Sequence, residues 1–215
     1  MRKPVVLITG AGGEIGHGLV TRLSAAGASV VTLDVTPLER DLARYVTREF
    51  TGSITDTNLL ERLLAEFEVN HVYHLAALLS TRSEFTPMAA HQVNVEGTLN
   101  LLEFAQRQGE SHGRPVVFVY PSSIAAYGLP DLETKMRAGR VREDAFPHPT
   151  TMYGCNKLYC EELGRYYTRH YKQLSADVTA HVDFRAVRFP GLISAATVPS
   201  GGTSDYAPEM IHAAA

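Results

Sequence analysis

Cysteine is scarce: Cys155 and Cys160 are the only two in 215 residues. They lie five apart on one predicted helix, a spacing that suits neither a metal site nor a disulfide. Reduced thiols in a cytoplasmic protein are expected. A surplus of either charge is missing as well. With 20 Lys and Arg against 23 Asp and Glu the net charge is −3, which offers nucleic acid no electrostatic footprint. No apolar run reaches the ~18 residues that span a bilayer. The opening MRKPVVLITG is basic and then apolar, but it lacks a small-residue cleavage site and runs into glycines. It reads as a first strand rather than a signal peptide. Internal repeats are absent. The nine histidines form no ligand pattern. His71 and His74 sit an odd number of residues apart on one predicted strand and so face opposite sides, and no metal site is expected.

What remains is the composition of an ordinary globular domain, 45% hydrophobic and 20% charged. Six apolar, β-branched runs read as strands: 4–9, 28–34, 46–50, 70–75, 115–120 and 182–189. Between them fall helical patterns at 14–26, 57–67 (with Asp56 as N-cap), 87–108 and 153–172. Pro121-Ser122-Ser123 closes the fifth strand, and 128–149 reads as a long, polar covering loop. Strands alternating with helices imply a doubly wound parallel sheet with ligands beyond the carboxyl ends of the strands. Gly10–Gly16, Asp34, His74–Ala77, Ser122-Ser123 and Phe189-Pro190-Gly191 all follow strand ends and fall on that rim.

Chemistry concentrates there. Gly10, Gly13 and Gly16, with Glu14 and Ile15 between them, sit after the first strand and open a helix. Glycine permits the tight turn and the close approach to a pyrophosphate, and the helix N-terminus favours the anion. Asp34 ends the second strand, where an acid accepts hydrogen bonds from an adenosine ribose and repels a 2′-phosphate. Val35, Thr36, Pro37 and Leu38 just after it are not basic, so NAD is favoured over NADP. Tyr153 and Lys157 are one helical turn apart on one face. A cation held near the phenol lowers its pKa and makes a general base. Ser123 can hydrogen-bond a substrate oxygen, with Ser122 an equally exposed competitor.

Together TGAGGEIG, Asp34, HLAA (His74–Ala77), Asn94 in QVNVEGT, PSSIAAYG and YGCNK resemble the extended short-chain dehydrogenase/reductase family, also called the NAD-dependent epimerase/dehydratase family. The resemblance implies a Rossmann-like α/β fold. It makes Tyr153 the acid/base, Lys157 the group that lowers its pKa and holds the nicotinamide ribose, and Ser123 the group that orients the substrate hydroxyl. Ser53 and Ile54 would flank the adenine, although the family usually has an acid at the Ser53 position. Leu75, Ala76, Ala77, Asn94 and Phe189 complete the implied cofactor contacts.

A narrower resemblance lies in VRFPGLISAATVPSGGTSDYA and in Leu78-Leu79-Ser80 with Glu84 beyond. Both look like short-chain-type L-threonine 3-dehydrogenases. The implied reaction oxidises the β-hydroxyl of L-threonine with NAD⁺ to 2-amino-3-ketobutyrate, with Ser80, Ser123, Tyr153, Gly202 and Thr203 touching the small-molecule substrate. The alternatives are a nucleotide-sugar epimerase/dehydratase and a non-catalytic NAD-binding module. Residues 1–190 are expected to form the cofactor-binding domain and 191–215 the start of a substrate lobe that such proteins continue further, as in a truncated chain. Family analogy implies a homodimer through the helices near 87–108 and 153–172. Asp34→Ala is expected to relax the preference against NADP⁺ in fluorescence titrations. NADP⁺ binding the parent protein as well as NAD⁺ would refute the role given to Asp34.

Overall fold

A computed structural model describes residues 3–193, 201–202 and 205–214. Among the described residues there are six strands: β1 Val5–Thr9, β2 Ser29–Asp34, β3 Arg48–Thr51, β4 Val69–His74, β5 Val116–Ser123 and β6 Val182–Phe189. Every pairing is parallel, and the order across the sheet is β3-β2-β1-β4-β5-β6. The chain therefore reverses its direction of travel between β1 and β4, the switch point of a Rossmann-like sheet. The helices are α1 Glu14–Ala25, α2 Arg40–Ala43, α3 Thr57–Glu66, α4 Ser80–Phe85, α5 Pro87–His91, α6 Gly97–His112, α7 Leu132–Ala138, α8 Met152–Arg169 and α9 Tyr206–Ala214.

Side-chain alternation sorts the helices onto the two faces. Leu7 of β1 joins a cluster with Leu63 of α3, Leu101 of α6 and Cys160 and Tyr167 of α8. Its neighbours Val6 and Ile8 pack on the other face with Val20 of α1 and Leu42 of α2. Because both faces are covered, β1 and β2 are almost continuously buried, which is why they read as unbroken apolar runs. Local signals mark several helix ends. Asp56 caps α3 by accepting from Leu59 N–H at 3.1 Å, and Gly27 follows α1 with φ +87°.

Several elements differ from the sequence expectation. The helix expected over 87–108 is three pieces, α5, a π segment Gln92–Glu96 and α6. It extends to His112, where Gly113 takes a left-handed backbone. Within the π segment the Asn94 carbonyl accepts from Thr98 Oγ1 (2.6 Å) and Cys160 Sγ (3.2 Å). β5 does not stop at Tyr120. It runs through Pro121-Ser122-Ser123, because β6 lies alongside and pairs with these residues. α8 ends at Arg169 rather than Lys172. Segment 128–149 holds the short helix α7, capped by Asp131, and α4 and α2 were too short for periodicity to reveal.

The switch point is tight. Gly10 has φ +67°, and a Cβ there would stand 2.6 Å from the Ala76 backbone nitrogen. Gly10→Ala is expected to lower stability by about 2–5 kcal/mol, adding about 1–2 for the left-handed backbone to about 1–3 for overpacking. A urea midpoint unchanged from the parent would contradict this.

Candidate active site

A cleft of about 770 Å³ opens beyond the carboxyl ends of the strands. At one end the glycine turn leads into α1. A Cβ on Gly16 would come within 2.5 Å of the Ala11 carbonyl, so the turn and helix can close only on glycine. Gly13 is the N-cap of α1 and brings no side chain to it. The first N–H groups of the helix are thus left for an anion, and Gly13, Glu14 and Ile15 line the cleft. Asp34 is held in place at the same end. Its Oδ2 accepts from Gly12 N–H at 3.0 Å and its Oδ1 from Thr36 N–H at 3.3 Å. Gly52, Ser53 and Ile54 form the adjacent wall; the Ser53 hydroxyl lies 2.7 Å from that of Thr55. Leu75, Ala76 and Ala77 floor the middle. An uncapped helix start, a fixed carboxylate and an apolar floor fit a dinucleotide.

At the other end β5 and α8 bring Ser123, Tyr153 and Lys157 onto the same cleft, with Ser80 and Phe189 beside them. Thr151 caps α8 by accepting from Gly154 N–H at 3.0 Å. Gly154 lets the helix start abut β5's continuation, since a Cβ would meet the Ala125 carbonyl at 2.1 Å. The two serines are not equivalent. Ser122 is buried and donates to Glu161 Oε1 at 2.5 Å. Ser123 lines the cleft and accepts from Ala125 N–H at 3.1 Å, which leaves its own O–H to donate. Ser122 also lines the cleft, but its hydroxyl proton is donated to Glu161.

Lys157 is buried and donates to the Pro121 carbonyl at 2.7 Å. Its ammonium lies 4.6 Å from the Tyr120 ring centroid and 5.2 Å from that of Tyr153. The expected lowering of the phenol pKa does not appear here. Burial pushes Tyr153 up to about 12, and burial likewise pulls Lys157 down to about 8. The lysine lies under the ring and spends a hydrogen bond on the strand carbonyl.

Asn94 stands behind the residues that line the cleft. Its Oδ1 accepts from Leu78 N–H (2.8 Å) and its Nδ2 donates to the Leu78 carbonyl (3.0 Å) and to Asn156 Oδ1 (3.3 Å). It acts on the cleft by holding the loop that lines it. Behind it runs a buried polar chain. Thr98 donates its hydroxyl proton to the Asn94 carbonyl and so accepts from His74 Nε2–H at 2.9 Å. His74 Nδ1 then accepts from the Thr9 hydroxyl at 2.8 Å, and Thr9 Oγ1 accepts from Ala76 N–H at 3.3 Å. Burial first, and then the Lys157 charge, push His74 down to about 3, consistent with this neutral tautomer.

Glu84 of α4, which the narrower resemblance singled out, accepts from Met152 N–H at 2.6 Å and so anchors the start of α8. Other neighbours escaped the sequence reading. Asp205 lines the cleft beside Gly202 and accepts from both Gly201 and Gly202 N–H. Glu161 and Arg188 form a buried ion pair. Glu161 lies four residues after Lys157, so the helical period that joined Tyr153 to Lys157 extends to it. Thr203 lies outside the described residues.

The model of the NAD dependent epimerase/dehydratase family matches residues 6–214. The chain belongs to that family. An uncharacterized epimerase/dehydratase of Staphylococcus aureus is 37% identical over 207 residues, which cover 95% of this chain and 58% of the relative. Among solved structures, the GalE-like L-threonine dehydrogenase from Cupriavidus necator in its holo form superposes with a TM-score of 0.82 at 36% identity, covering 98% of this chain and 62% of that one. Thermus thermophilus UDP-glucose 4-epimerase in complex with NAD gives 0.68 at 28%, covering 86% and 54%. The chain thus spans less than two thirds of these family members.

The buried histidine makes stability sensitive to acid. In the unfolded chain it takes up a proton near its ordinary value of 6.5, whereas in the fold it does so only near 3. Stability attributable to His74 is full above 6.5 and falls as pH drops through that window, by about 1.4 kcal/mol per pH unit. Urea midpoints at pH 7 and pH 5 should show this loss in the parent and a smaller one in His74→Gln. Equal losses would mean that other groups carry the acid sensitivity.

Proposed function

We propose that this family member is an NAD-dependent dehydrogenase that oxidises the β-hydroxyl of L-threonine, or of a similar β-hydroxy amino acid, to 2-amino-3-ketobutyrate or its analogue. The observation that carries the reading is the convergence of Ser123, Tyr153 and Lys157 on a cleft whose other end holds the glycine turn and Asp34. The dinucleotide would rest on Gly10–Gly16, Asp34, Ser53, Ile54 and Leu75–Ala77. Residues 191–215 would open the part of the protein that encloses the amino acid, with Ser80 and Gly202 at its edge.

In this reading the Ser123 O–H donates to the substrate hydroxyl oxygen, and Tyr153 Oη takes the hydroxyl proton. NAD⁺ supplies the hydride acceptor and a second positive charge. Tyr153 is a phenol at neutral pH by itself, so it must first lose its own proton. The charge on Lys157 together with that added charge favours this loss. The threonine substrate is supported by the higher TM-score and identity to the Cupriavidus dehydrogenase than to the Thermus epimerase. A nucleotide-sugar epimerase/dehydratase is the second reading, favoured by the Staphylococcus relative's name. Both chemistries use the same hydroxyl-oxidising set.

Mixing the protein with NAD⁺ and L-threonine and following absorbance of reduced nicotinamide separates them. Accumulating NADH supports the dehydrogenase; conversion of a UDP-hexose without net NADH supports the second reading. Tyr153→Phe is expected to keep NADH affinity and lose about 10²–10⁴-fold in rate, the usual worth of positioned proton transfer. An unchanged rate would assign the proton to another group.

A further inference from the structure

One carboxylate ties together the segments that carry the reacting groups. Glu161 lies one turn beyond Lys157 on α8 and is 5% exposed. Its Oε1 accepts from Ser122 Oγ at 2.5 Å and from Arg188 Nε at 2.8 Å, and its Oε2 accepts from Arg188 Nη2 at 2.7 Å. Ser122 and Arg188 are cross-strand partners on β5 and β6, and the next pair along is Ser123 with Phe189. Both members of that next pair line the cleft. Arg188 Nη1 also donates to the Glu143 carbonyl at 3.0 Å, and its guanidinium lies 4.3 Å from the Tyr127 ring centroid. Helix α8, the ends of β5 and β6, and the segment leading to Tyr153 therefore meet at the Glu161–Arg188 pair.

Stability alone does not account for this arrangement. Taking both ions out of water costs about as much as their attraction returns, and an apolar pair of like size is often as stable. What a two-pronged arginine–carboxylate contact adds is a fixed angle and distance. Here it holds Ser122 turned toward α8. Ser123, the next residue, lines the cleft with Tyr153 and Lys157.

We propose that Glu161 is a positioning residue: through Ser122 and Arg188 it sets the spacing of Ser123 on β5 from Tyr153 and Lys157 on α8. The proposal rests on the reading of those three as the reacting groups. Burial by itself would raise the Glu161 carboxyl, but the hydrogen bonds from Arg188 and Ser122 outweigh it and hold the group ionised, as the role requires.

The test compares the parent protein with Glu161→Gln and with the double variant Glu161→Gln/Arg188→Met. The single variant strands a buried arginine charge and is expected to lose stability as well as rate. The double variant removes both charges and is expected to regain stability. It is also expected to bind NADH and threonine as the parent does, yet to turn over about 100-fold more slowly, the cost of a misplacement near 1 Å. A double variant that regains both stability and kcat would overturn the proposal, because the pair would then be structural only. Should the parent not oxidise threonine, the functional reading fails while the tie is still measurable. Amide hydrogen exchange in the double variant is expected to quicken at 122–126 and 152–157 and to stay unchanged in β1 and β2. Unchanged exchange at all of these segments would overturn it.

Discussion

A helix that buries a lysine and a glutamate on one face has to find partners for both, and the second half of the fold is arranged around that need. Lys157 and Glu161 are 3% and 5% exposed. Left alone, each charge would cost several kcal/mol. Both partners come from the end of β5. Pro121 offers its carbonyl to Lys157, and Ser122 offers its hydroxyl to Glu161. β5 must outrun β4 to do so, since β4 pairs with it only as far as Val119. β6 then extends beside it and delivers Arg188. The strand end that presents Ser123 is fixed by the same contacts that make α8 tolerable.

The first half of the fold meets the same constraint with neutral groups. At the switch point the backbones of Gly10 and Ala76 approach too closely for a side chain between them. Thr9, His74 and Thr98 pass hydrogen bonds across the core to the Asn94 carbonyl, and the Asn94 side chain holds Leu78. A neutral histidine serves there because burial strongly disfavours its charge. The chain thereby links the floor of the dinucleotide end to the loop that leads to Ser80.

Much of this was legible. The buried strands, the glycine turn and the acid after β2 are local patterns with local causes, so their positions follow from periodicity and glycine spacing. The same holds for Tyr153 and Lys157, one turn apart. Short elements such as α4 and α7 left no periodic trace. In the π segment the Asn94 carbonyl accepts from Cys160, 66 residues away on α8, a contact that no local pattern reveals. Asn94 was assigned to the cofactor because it belongs to a recognisable stretch; that its side chain clamps the Leu78 loop is visible only in the fold.

The sequence by itself determined the strand–glycine turn–helix–strand succession of the first unit, the end of the sheet that bears the cleft and which residue types gather there. Each rests on interactions between residues near one another in the chain or on alternation along a strand. The tertiary structure alone shows how the two serines differ, because the Ser122 hydroxyl reaches Glu161, 39 residues away. It also decided the state of the Tyr153–Lys157 pair. Helical spacing places the lysine under the ring, but burial and the Pro121 carbonyl govern how much of its charge the phenol feels.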